Sequence, residues 1–257
     1  MNFFFGLKHE LFKCEIQIPK FQNKNLNYKN LKLIKCFPSN NQWNYEIFSS
    51  QEINDEFYII NEKNLENKDL FFLAYEEDKI KFNLQKLKDI NNFTDTSPAY
   101  RSNLKLYIND GGFSSYQSEY PSGMISKFGS ILSPLNSLTN VDAEKNYIIF
   151  RNVFEDAIEK NFKGYFINYK NKMIEKEIIL KTNNTNIIDI DKDLIKPEIF
   201  FFTVKYLGIP IFLSLKKKHL SVEHTHPPHS YIYSENKFEL ISKIKKEFNE
   251  IVNKKNS

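Results

Sequence analysis

Arginine is nearly missing from this chain, with two residues against 34 lysines, and cysteine occurs only as Cys14 and Cys36. Two thiols without metal-ligand spacing exclude a cysteine-built zinc framework, allow one disulfide at most, and make a reducing, cytoplasmic compartment the simpler expectation. Glycine, with 7 residues, and proline, with 9, are scarce too. Neither G-x-x-x-x-G-K nor G-x-G-x-x-G occurs, so a glycine-rich phosphate loop is not expected. No G-x-S-x-G elbow supports a serine nucleophile. The longest apolar run, residues 199–215, is interrupted by Lys205, Gly208 and Pro210 and falls short of a membrane span. The opening MNFFFGLKHELF meets charge too soon to act as a signal peptide.

What is present is apolar and aromatic. Of 257 residues, 41% are hydrophobic and 15% aromatic, more than a solvated coil carries and enough for a substantial core. The net charge of +4 comes from scattered lysines, a bias too mild to argue for nucleic-acid binding. Lys, Asn, Ile and Phe abound, as in AT-rich coding, while Gly, Ala, Arg and Pro total 22. Nine of those 22 lie between Thr94 and Pro134, more than twice an even share. If base composition drives such residues out wherever substitution is harmless, that segment is where they are hardest to replace.

Short apolar runs separated by polar turns fill the chain on both sides of it. LKLIKCF, NYEIFSS, EFYIINE, LFFLAYEE and KIKFNLQ precede it, and NYIIFRNVF, GYFINYK, MIEKEIIL, NIIDID, EIFFFTVKYL and IPIFLSL follow. Aromatic and β-branched residues at this spacing predict strands. The pattern is similar to immunoglobulin-like sandwiches. The expected fold is therefore mainly β, one or two antiparallel β-sandwiches with a C-terminal amphipathic helix. That helix is predicted over residues 235–253, where Phe238, Ile241, Ile244, Phe248, Ile251 and Val252 repeat at three and four, with Asn236 and Glu239 as a capping box. Residues 154–162 suit a short helical turn. The organisation expected is a β-rich region over 1–93, a long Gly/Ser/Tyr-rich loop segment over 94–145 with one strand at 104–108, and a second β-rich region over 146–257. Asp110, Gly111 and Gly112 predict a tight turn, because glycine tolerates positive φ.

Two stretches carry candidate chemistry. Four of the five histidines fall within HLSVEHTHPPHSY. Leu220 and Val222 alternate with Ser221 and Glu223, so a strand would put His224 and His226 on one face, about 6.6 Å apart. Pro227 and Pro228 would end it and present His229 on a loop. His224, His226 and His229 could thus hold zinc or iron with a carboxylate from elsewhere; the bland alternative is a strand-ending turn whose histidines stack on aromatic neighbours. The H-x-H spacing is similar to the first motif of cupin barrels, whose glycines and close-following glutamate are missing, so no residue role is carried over. In the second stretch, SSYQSEYPSGM gathers Tyr116, Gln117, Glu119 and Tyr120, with Arg101 upstream. Rings and amides suit a polar ligand such as a glycan, and arginine offers a bidentate fork that lysine lacks. An ordered structural loop would use the same residues.

Three functions follow: a binding or accessory module for a polar ligand at Arg101 and the 116–120 run, a metal-dependent enzyme at the histidines with Glu119 assisting proton transfer, and a structural protein docking a partner chain.

Overall fold

The computed structural model describes residues 2–19, 31–48, 57–75, 81–83, 86–91, 102–109, 111–224 and 234–256. The first half contains β1 (Asn2–Phe4), β2 (Lys13–Pro19), β3 (Leu31–Ser39), β4 (Gln42–Ile47), β5 (Phe57–Asn61), β6 (Leu70–Tyr75), β7 (Lys81–Asn83), β8 (Lys86–Asn91), β9 (Asn103–Tyr107), β10 (Phe113–Gln117) and β11 (Glu119–Pro121). The second contains β12 (Ile131–Pro134), β13 (Lys145–Arg151), β14 (Asn161–Asn168), β15 (Met173–Lys181), β16 (Thr185–Asp189), β17 (Ile199–Thr203), β18 (Ile209–Lys216), β19 (His219–His224) and the helix α1 (Lys237–Asn256).

These strands form four antiparallel sheets, arranged as a four-bladed β-propeller, and a small β7–β8 ribbon. The first blade has the order β11-β1-β6-β3-β4, the second β10-β9-β2-β5, the third β12-β17-β14-β15 and the fourth β16-β13-β18-β19. The mainly β character and the C-terminal helix agree with the sequence; the sandwich does not. A free-standing sandwich leaves one face of each sheet to solvent, and its strands alternate apolar with polar. In β13 every residue from Asn146 to Arg151 is buried. Tyr147 and Ile149 join one core with Phe3, Ile16 and Leu104, while Ile148 and Phe150 join another with Phe166 and Phe201. The third blade is likewise covered twice, because Tyr165, Ile167 and Phe202 pack under Phe248 and Val252 of α1. Runs such as NYIIFR are continuous because both faces are covered.

Three local expectations change. The 94–145 stretch supplies β9 to β12 rather than one strand and a long loop. Residues 154–162 form no helix, because the buried Asn183 side chain takes their backbone groups: its Oδ1 accepts from Phe154 N–H at 2.7 Å and its Nδ2 donates to the Asp156 carbonyl at 2.6 Å. At the helix start, the Asn236 side chain accepts from the Ser234 hydroxyl, and Phe238 is exposed rather than part of the packed stripe.

Long-range polar contacts tie the halves together. The one tryptophan, Trp43, is buried and donates to the Glu155 carbonyl at 2.8 Å. Arg151 is fully buried and donates to the carbonyls of Asn67 and Lys68 and to the Thr185 hydroxyl. Beside it, buried Asp69 accepts from Glu66 N–H and pairs with Lys35 at 3.3 Å. Burial pushes the Asp69 carboxyl above its usual range, against the opposing pull of the Glu66 amide, Lys35 and Arg151. Burial also lowers the Arg151 pKa to about 10. Cys14 and Cys36 are both free thiols in the core, and burial raises both, Cys14 to about 12. No helix among the described residues is long and apolar enough to cross a membrane.

Candidate functional site

The histidine strand and the 116–120 run come together at a seam between two blades. β10 is the edge strand of the second blade and β19 the edge of the fourth. Each belongs to a hairpin: β10 pairs with β9, setting Tyr116 opposite Leu104, and β19 pairs with β18, setting His224 opposite Ile211. The two edges run side by side in the same direction. Gly112 N–H donates to the Lys218 carbonyl at 2.7 Å, Val222 N–H donates to the Ser114 hydroxyl at 3.2 Å, and the Tyr116 and His224 rings lie 4.2 Å apart at 37°. A bare sheet edge invites pairing with other chains; here each edge covers the other.

Glycine serves this seam by size, not by backbone angle. No described glycine has positive φ, and the left-handed turn positions belong to residues such as Lys217 in the β18–β19 turn. A Cβ on Gly111 would lie 2.5 Å from the Ile108 side chain and 2.8 Å from the Lys218 carbonyl. The β9–β10 turn can approach the β18–β19 turn only because that atom is absent.

Period-two placement on β19 follows the sequence reading. Val222 is buried, Leu220 and His224 are half-buried on the same side, and His219, Ser221 and Glu223 are exposed. His226 and His229 lie outside the described residues, as does Arg101. Among the described residues no group of three or more His, Cys, Asp or Glu side chains is placed to hold a metal ion.

The other candidates divide. Tyr116 and Gln117 are half-buried at the end of β10, and the Tyr116 ring meets that of His224. Glu119 and Tyr120 are turned to scaffolding instead. Glu119 Oε1 accepts from Ser102 N–H at 3.1 Å, beside the buried Ser102 and Ser118 hydroxyls 2.9 Å apart. Tyr120 is fully buried, pairs through β11 with Phe3 of β1, and donates its hydroxyl to the Val153 carbonyl at 3.1 Å. Burial pushes its phenol well above the usual range.

Two features at the same hairpins escaped the sequence. Ser114 is the hydroxyl that joins the edges, and nothing in its run of serines distinguishes it. Phe113 is 64% exposed with the Lys105 ammonium 4.8 Å from its ring centre, a cation–π pair visible only once β9 and β10 are in register.

No protein-family description matches this chain, and no characterised protein or solved structure is significantly similar to it.

Proposed function

We propose that this protein is a non-catalytic binding module that holds a polar ligand, a glycan in the first instance, at the seam between β10 and β19. The observation that carries this reading is the Tyr116–His224 ring pair, half-buried at 4.2 Å. A tyrosine ring backed by imidazole offers a partly exposed face on which the apolar side of a sugar ring can stack. Glu119 and Tyr120 hold the strand that presents them. The test is a glycan array followed by calorimetry on the best hit. Tyr116→Ala should weaken binding by roughly tenfold, the scale of one aromatic contact near 1.4 kcal/mol. Unchanged affinity in that variant sinks the glycan reading, and a change in molecular size on the same substitution assigns the seam to a partner chain.

The same ring pair favours one second reading. It brings the histidine strand to the second candidate stretch, so a zinc or iron ion held by His224 with His226 and His229 would lie beside Tyr116. Zinc titration of the purified protein checks it: one equivalent bound by the native chain and lost in His224→Ala supports the enzyme reading, and equal uptake by both proteins removes it.

A further inference from the structure

The structure assigns a second binding site, on the third blade, to a small phosphate-bearing molecule with a flat ring. The pairing of β14 with β17 ends at Gly164 and Thr203. Beyond that point the chain leaves β17 through Val204, Lys205 and Tyr206, while β14 runs back through Phe162 to Asn161, with Lys160 just before it. The two backbones part and a cleft of about 450 Å³ opens between them. That volume lies within the range of small-molecule sites.

The cleft has an apolar floor and a cationic rim. Phe162 and Tyr206 are buried with ring centres 5.0 Å apart, and Val204 at its mouth is 38% exposed. Lys160, Lys163 and Lys205, all exposed, converge on this one opening. Their counter-charges do not balance. Lys163 is held by Glu177 at 2.7 Å, and Lys160 reaches Asp156 only at 4.0 Å. Lys205 has no carboxylate partner among the described residues; its ammonium stands 5.5 Å from the Tyr206 ring centre and 5.9 Å from that of Phe128. Phe128 is itself 60% exposed.

Three ammonium groups with two carboxylates leave the opening positive, and lysine binds phosphate as a point charge. Aromatic rings and Val204 beside those charges suit a ring attached to the anion. The site shares no residue with the β10–β19 seam, so it stands or falls independently of the glycan reading.

Calorimetry with AMP, adenosine and inorganic phosphate tests the assignment. AMP should bind saturably at one site, more tightly than either adenosine or phosphate alone. Lys205→Gln should weaken AMP binding by roughly tenfold, as expected for one charge-assisted contact, with an unchanged melting temperature. Glu177→Gln, which releases Lys163 toward the opening, should tighten it by several-fold; a residue with only a structural role would not produce a gain. Absence of saturable AMP binding at millimolar concentration, or an affinity untouched by Lys205→Gln, overturns the proposal.

Discussion

The junction around Arg151 is closed on every side, whereas the seam between β10 and β19 stays half open. At the first, a guanidinium with no exposure spends its donors on two carbonyls and a hydroxyl from distant segments, with a buried carboxylate nearby. Its Nε alone has no acceptor among the described residues. At the second, two sheet edges meet through a backbone hydrogen bond, a serine hydroxyl and a ring pair whose members remain partly exposed. Polar groups turned inward at a buried junction hold a fold together; a ring pair left partly exposed at a seam offers surface for recognition. The difference explains why a rare arginine at the one place and a clustered tyrosine at the other should fail in different ways when removed.

The largest effect belongs to the closed junction. Arg151→Ala removes the charge that partly offsets Asp69, strands the Lys68 carbonyl and leaves the Asn67 carbonyl with the Thr185 N–H alone, and should cost about 3 to 5 kcal/mol in denaturant unfolding. A loss below 1 kcal/mol would mean that water enters the junction and that the contrast with the seam is false. Ser114→Ala tests the other member of the pair. Removing the acceptor of Val222 N–H should cost about 1 kcal/mol, and hydrogen exchange at Val222 should speed up while amides of β13 keep their protection. Slowed or unchanged exchange there would show that the seam does not depend on the hydroxyl.

The smallest effect lies at a third place, where a ring sits between the two cases. His9 is half-buried, stacks on Phe12 at 4.4 Å and meets Tyr147 edge-on. Burial lowers its pKa below the usual 6.5, opposed by the charges of Glu10 and Asp189. A depressed folded pKa means that the neutral ring favours the native state: the contribution is complete above pH 6.5 and is lost as pH falls through the lower folded value. His9→Phe should therefore flatten the acid limb of a melting-temperature profile, and a profile of unchanged slope would assign that limb to other groups.

Much of this was legible in the sequence, and the gaps have physical causes. Alternation located β19 and put His224 on the side of Leu220 and Val222, because a strand that leaves one face to solvent declares its period. The terminal helix showed itself through Phe248 and Val252, which do pack. The sandwich expectation failed because β13, buried on both faces, has no period to read. Scarce arginine, as the mark of a place where lysine would not serve, points to Arg101 and with equal force to Arg151. What singles out Arg151 is a pair of carbonyls more than eighty residues away, which no local pattern reveals. Asn183 likewise overrode a helical spacing at 154–162 from the far side of a hairpin.

β13 is a party wall. Its odd-numbered side chains complete one interior and its even-numbered ones another, so inserting or deleting a single residue there would exchange the contents of both rooms at once. For the same reason residues 1–121 expressed alone would have a chamber with one side missing, and the two ends of the chain must finish folding in each other's company.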